Sequence, residues 1–122
     1  STVRAISALV SVLEDTLGKS ATVGVATPGA IAPGGGPFAG KLKNANSVCL
    51  NGRPLQMDLE DALQRSVRLA NDADCFALSE ATDGAAAGAA VVFGVIVGTG
   101  TGGGIVVNGQ LLQGANAIAG EF

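Results

Sequence analysis

Apolar residues recur at helical spacing from the start of the chain: Val3, Ile6, Leu9, Val10, Leu13 and Leu17 fall on one face. Gly18 follows where a left-handed residue commonly ends a helix, so the pattern predicts an amphipathic helix over Thr2 to Leu17. Thr22 to Ala26 reads as a short strand, and Pro28-Gly29 opens a long loop that contains Pro33-Gly-Gly-Gly-Pro37. A second helix is expected from Asp58, with Leu59, Ala62 and Leu63 on its buried side. Val67 to Ala70 reads as a strand, and the Ala-rich text from Ala73 to about Ala90 as a helix that Gly84 and Gly88 weaken towards its end. The apolar run Val91 to Val97 is a strand. A Gly/Thr loop over Gly98 to Gly104 then leads to a second strand at Ile105-Val-Val107, and Asn108-Gly109 signals a type I′ turn. Helices alternating with strands imply crossover connections and a largely parallel sheet, whose ligands gather at the carboxyl ends of the strands. Three predicted strands end in unusual chemistry, at Thr27-Pro28-Gly29, at Asn71-Asp72 and at the Gly98 loop. If they share one direction, they face one cleft.

Side chains are almost absent from Gly98 to Gly104, so backbone N–H groups there are open to close approach, and Thr99 and Thr101 add hydroxyls. Such a loop suits an anion with many oxygens, phosphate above all. Gly98, Gly100 and Gly103 satisfy the letters of a dinucleotide-binding motif, but a helix must open behind that motif, whereas β-branched residues and a hairpin turn follow here. A Walker A loop needs a Lys, and none follows Lys43. Taken by itself the loop is equally consistent with a glycine-rich hairpin that binds nothing.

Composition narrows the chemistry. With 48% hydrophobic residues in 122, the chain has the material for a folded domain of modest size. A net charge of −3 offers no basic patch for nucleic acid, no apolar run is long enough for a membrane span, and Ser1 opens nothing like a signal peptide. Cys49 and Cys75 stand apart, which fits two reduced thiols in a cytoplasmic protein, with a single disulfide as the alternative. The absence of His removes a Ser-His-Asp triad, a Cys-His pair and a Cys/His metal site from what this chain can build. Carboxylates and hydroxyls remain. Asp72, between a strand and a helix, is either an N-cap or a general base that accepts a proton from a hydroxyl attacking phosphorus. The two roles are compatible. Asn71 beside it suits the hydroxyls of a polyol. Glu14, Asp15, Glu60 and Asp61 read as solvated helix faces.

Together these segments resemble the ROK family of sugar kinases and repressors. Asn71-Asp-Ala-Asp-Cys-Phe-Ala-Leu-Ser-Glu80 is similar to its Asn-Asp catalytic segment, Gly98-Thr-Gly-Thr-Gly-Gly-Gly-Ile105 to its second phosphate loop, and Ala119-Gly-Glu-Phe122 to the start of its sugar motif. Lys43-Asn-Ala-Asn-Ser47, Leu50-Asn-Gly52 and Asp83-Gly-Ala-Ala-Ala-Gly88 resemble bacterial fructokinases and mannokinases most. The resemblance implies an α/β, actin-like and ribonuclease-H-like fold: residues 1–90 as a partial N-terminal domain, and residues 91–122 as the start of a second domain with its phosphate loop. It implies Asp72 as the base, and Asn71, Glu121, Gly29 and Asn44 as sugar contacts. Gly98, Thr99, Gly100 and Thr101 would meet the phosphates of ATP and their magnesium.

The family's first phosphate loop and its Cys-rich zinc segment have no counterpart here, so the resemblance implies an internal fragment with no metal ligands of its own. Such a fragment is expected to be inactive alone and, with sheet edges unpaired, to self-associate. The full-length protein is expected to be a cytoplasmic homodimer that phosphorylates fructose or mannose at the terminal hydroxyl with ATP, binding neither nucleic acid nor membrane. A glucose or N-acetylamino-sugar kinase, a sugar-sensing repressor and a nucleotide-binding module without a sugar site are the alternatives.

Overall fold

Gly18, at φ 65°, ends the first helix as its left-handed cap, and Ser1 caps the other end by accepting the Arg4 N–H. The computed structural model describes residues 1–32, 34, 37, 39–43, 52, 54–115 and 118–120. Helix α1 (Thr2–Leu17) has the bounds its periodicity predicts. Its inner side is narrower than expected: Val3, Ile6 and Val10 pack inward, whereas Leu9, Leu13 and Leu17 lie exposed. Strand β1 (Val23–Thr27) leads into a small antiparallel pair, β2 (Ala30–Ile31) with β3 (Leu42–Lys43). Helix α2 (Leu55–Leu63) starts behind Pro54, a turn earlier than its apolar pattern predicts. Leu55, Leu59 and Leu63, four residues apart, form its buried face, and Ala62 is exposed. With Leu42 and Val67 they make the first core cluster, on which α1 and β1 pack.

Strand β4 (Val67–Asn71) pairs parallel with β1 in a register that sets Asn71 beside Thr27. Helix α3 (Asp72–Thr82) follows without a break. It stops well short of Ala90. The Glu80 carboxylate folds over the Ala85 N–H (2.7 Å), and the Glu80 carbonyl accepts the Ala86 N–H (3.1 Å). Gly88, at φ 84°, completes that turn. Strands β5 (Val91–Val97), β6 (Thr101–Val107) and β7 (Gln110–Leu111) form a separate antiparallel sheet.

The expectation of a largely parallel sheet therefore holds only for β1 and β4. A three-residue connection from β5 to β6 can reverse the chain but cannot carry it back for a parallel return. Asn108 and Gly109, at φ 49° and 76°, make the predicted type I′ turn between β6 and β7. A second core cluster of Ala77, Val92 and Val106 lies between α3 and this sheet. Helix α3 touches both β-layers and so joins the two halves of the fold.

Candidate functional site

The parallel register brings the ends of β1 and β4 side by side, and Asn71 binds them together. Its Nδ2 donates to the Gly29 carbonyl at 2.8 Å, and its Oδ1 accepts the Asp74 N–H at 3.1 Å. Asn71, in extended backbone, is thus the N-cap of α3. This corrects the reading of Asp72 as the cap. Asp72 is the first helical residue, and its Oδ1 accepts the adjacent Ala73 N–H, at 2.9 Å, while the side chain stays exposed. The capping task is met by its neighbour, which leaves the Asp72 carboxylate directed to the space beyond the strand ends.

Across that space lies the turn between β5 and β6. It is shorter than the glycine run suggested, because Val97 pairs with Thr101 and only Gly98, Thr99 and Gly100 remain outside the strands. Gly102, Gly103 and Gly104 belong to β6. Within the turn the Gly98 N–H is already given to the Gly100 carbonyl at 2.8 Å, so Gly98 shapes the loop while Thr99 and Gly100 form its exposed tip.

One cleft of about 320 Å³ collects these parts, lined by Pro28, Gly29, Asn71, Asp72, Ala73, Ile96 and the run Gly98–Gly102. Its size lies at the lower end of small-molecule clefts, roughly 300–1,000 Å³. Gly29, Asn71, Asp72, Gly98, Thr99, Gly100 and Thr101, all singled out from the sequence, share it. Asn44 and Glu121 lie outside the described residues, as does Cys49. Pro28 belongs to the Thr27-Pro28-Gly29 strand end expected there, whereas Ala73 and Ile96 were not legible as cleft residues, since nothing in their side-chain chemistry marks them. No Lys or Arg stands among the lining residues. What these lining residues offer a phosphate is backbone N–H groups and Thr hydroxyls. Among the described residues no group of three His, Cys, Asp or Glu side chains is placed to hold a metal by itself. Burial, then the Asp74 and Asp72 carboxylates, push the Cys75 thiol up, which keeps it protonated and poorly nucleophilic.

Two clasps behind the cleft were missed in the sequence. Glu14 accepts the Ala21 N–H at 2.9 Å and pairs with the Arg65 guanidinium, whose Nη2 lies 2.9 Å from Glu14 Oε2. The Arg65 hydrogen bond, then the backbone bond from Ala21, hold the Glu14 carboxyl down at about 2. Glu60 accepts the Val67 N–H at 3.0 Å, and Gln56 donates to the Val67 carbonyl at 2.9 Å, so α2 grips the first residue of β4. Neither carboxylate is the solvated helix face its sequence context suggested.

The likenesses to known proteins agree with this geometry. A model of the ROK family matches residues 1–122. An N-acetyl-D-glucosamine kinase of Pectobacterium atrosepticum is 46% identical over 114 residues, covering 93% of this chain and 36% of that protein. An N-acetylgalactosamine kinase of a Shewanella species is 46% identical over 105 residues, covering 86% of this chain and 32% of that one. A ROK family glucokinase from Streptomyces griseus, solved in complex with glucose and AMPPNP, superposes with a TM-score of 0.78 at 28% identity. That match covers 98% of this chain and 37% of the other. The architecture is accordingly part of the actin-like, ribonuclease-H-like α/β class. Within that class, this chain belongs to the ROK family. It spans about a third of the length of the relatives it matches.

Proposed function

We propose that this chain carries the catalytic carboxylate and one phosphate loop of an ATP-dependent sugar kinase whose substrate is an N-acetylated hexosamine. The observation that carries the reading is the exposed Asp72 carboxylate, free of the capping task, in one cleft with the Thr99–Gly100 turn. Asp72 accepts the proton of the sugar hydroxyl as that oxygen bonds to the γ-phosphorus of ATP. The bond from phosphorus to the bridging oxygen breaks, and ADP leaves. The Thr99 and Gly100 N–H groups and the Thr101 hydroxyl hold phosphate oxygens. Magnesium, when bound with ATP, supplies positive charge that no basic side chain among the lining residues provides. Gly29 and Asn71 form the sugar end of the cleft, with Asn44 and Glu121 as further sugar contacts. Residues 1–90 belong to one domain and 91–122 begin the next. In support of that division, β5 opens a new sheet that pairs with neither β1 nor β4.

The sugar is where the earlier expectation shifts. Fructose or mannose rested on short segments, two of which lie largely outside the described residues, whereas the curated relatives named above are N-acetylhexosamine kinases. A repressor reading has no comparable support, because a sensor has no use for a proton acceptor facing a phosphate turn. The test is ATP-dependent phosphorylation by the full-length protein of N-acetylglucosamine, N-acetylgalactosamine, glucose, mannose and fructose. The highest kcat/KM is expected with an N-acetylated sugar. A preference for fructose or mannose would overturn the substrate assignment, and no turnover with any sugar would overturn the kinase.

A further inference from the structure

Two glycines of the β5–β6 hairpin, Gly94 and Gly104, lie outside the cleft lining, yet a side chain at either would press on α3. Gly94 and Gly104 are cross-strand partners, and both lie beneath Ala77. A Cβ on Gly94 would fall 2.8 Å from Ala77 Cβ, 3.0 Å from Ala77 Cα and 3.2 Å from the Phe76 ring. One on Gly104 would fall 2.6 Å from the Ala73 carbonyl oxygen and 2.9 Å from Ala77 Cβ. A Cβ on Gly102 would stand 3.4 Å from Ala73 Cβ. Ala73 and Ala77, one turn apart, are the two buried residues of α3, at 1% and 0% exposure, and Ala73 follows Asp72 directly. On the β6 backbone a further contact closes in: Gly120, at φ 91°, would put a Cβ 2.7 Å from the Gly103 carbonyl oxygen.

We infer that Gly94 and Gly104 are positioning residues. They form a seat on which α3 rests closely enough to fix the Asp72 carboxylate against the Thr99–Gly100 turn of the same hairpin. The hairpin carries the turn four residues beyond Gly94 and four before Gly104, and the helix carries the carboxylate one residue before Ala73. The spacing between base and phosphate turn is therefore set by this backbone contact. Filling the seat lifts the helix, and with it Asp72, away from the turn. Small displacements matter because phosphoryl transfer depends on alignment, and a misplacement of about 1 Å can cost on the order of 100-fold in rate. The inference rests on the kinase reading for its catalytic consequence, though not for its geometry.

The experiment compares Gly94→Ala and Gly104→Ala, each alone and with Ala77→Gly, in the full-length protein. Gly24→Ala is the control, because a Cβ there meets nothing within 4 Å. The expected result is a fall in kcat of about 10- to 100-fold for folded Gly94→Ala with KM for ATP little changed. Ala77→Gly should restore part of that loss, because it removes the 2.8 Å contact and leaves the Ala77 Cα at 3.0 Å and the Phe76 ring at 3.2 Å. For Gly104→Ala the same second change should restore little, because the Ala73 carbonyl, a backbone atom, stays in the way. Wild-type kcat in folded Gly94→Ala, or equal rescue of both variants, would overturn the inference. If the wild-type protein phosphorylates no sugar, the kinase reading fails, and the crystal structure of Gly94→Ala then decides the seat. Displacement of α3 from the hairpin by about half an ångström or more supports it, since 2.8 Å is too short for two carbons in contact. An unmoved helix refutes it. Should Gly104→Ala not fold, Gly94→Ala with and without Ala77→Gly carries the test alone, read by kcat and by the position of α3.

Discussion

Asn71 illustrates how one side chain can settle the role of its neighbour. Its carboxamide needs both an acceptor and a donor here, the Oδ1 for the Asp74 N–H and the Nδ2 for the Gly29 carbonyl. Asn71→Asp keeps the cap but loses the donor. Asn71→Ala loses both. Thermal melts should show Asn71→Ala destabilised by about 1–2 kcal/mol and Asn71→Asp by less, while both lower turnover because the Gly29 wall of the cleft is released. Equal melting points for wild type and Asn71→Ala would remove the cap from the account. Glu14 makes a different prediction. Its carboxyl is held down at about 2 in the folded chain, so the stability it contributes is fully present above the ordinary carboxylate range and fades as pH falls from about 4.5 to about 2. Denaturant unfolding at pH 5 and at pH 2.5 should show a smaller loss on acidification for Glu14→Gln than for wild type. Parallel losses would contradict the pairing.

Elements are held by contacts that differ in how well the sequence reveals them. Helix α1 and the Asn108-Gly109 turn were legible because their signals are local: a 3.6-residue period closed by a left-handed glycine, and a dipeptide that tolerates positive φ. The glycine run was misread in extent. Its letters suit a loop, but Gly102–Gly104 are strand residues whose missing side chains admit α3, a demand made by a helix about thirty residues earlier in the chain. Separation also hid the grip of α2 on β4. Removing the Glu60 carboxylate deprives the N–H of buried Val67 of its side-chain acceptor, so Glu60→Ala should cost about 1–3 kcal/mol in chemical denaturation. A cost within about 0.5 kcal/mol, ordinary for a surface change, would return Glu60 to a solvated face.

At the scale of the whole molecule, two β-layers of different topology meet through α3, and the candidate site lies where they meet. The alternation of helices and strands wrongly suggested one parallel sheet, yet the three strand ends converge as expected, because the hairpin docks on α3 and not beside β4. What the chain leaves uncovered is also organised: Leu9, Val12, Leu13 and Leu17 of α1, and Val91, Phe93, Val95 and Val97 along one face of β5, are exposed apolar residues. The site residues were readable as chemistry, a carboxylate and a side-chain-poor turn. Their meeting in one cleft was readable only on condition that the strands share a direction, and what fixes it is the parallel register of β1 with β4 and the close packing at Gly94 and Gly104.

The most direct test of the proposed chemistry is the rate of ADP formation by full-length Asp72→Asn with its preferred sugar, set beside wild type. The substitution keeps size and hydrogen bonding but removes the proton acceptor, so kcat is expected to fall by about 100- to 10,000-fold while the melting temperature stays close to wild type. A folded Asp72→Asn that turns over at near wild-type rate would contradict the assignment of Asp72 as the base.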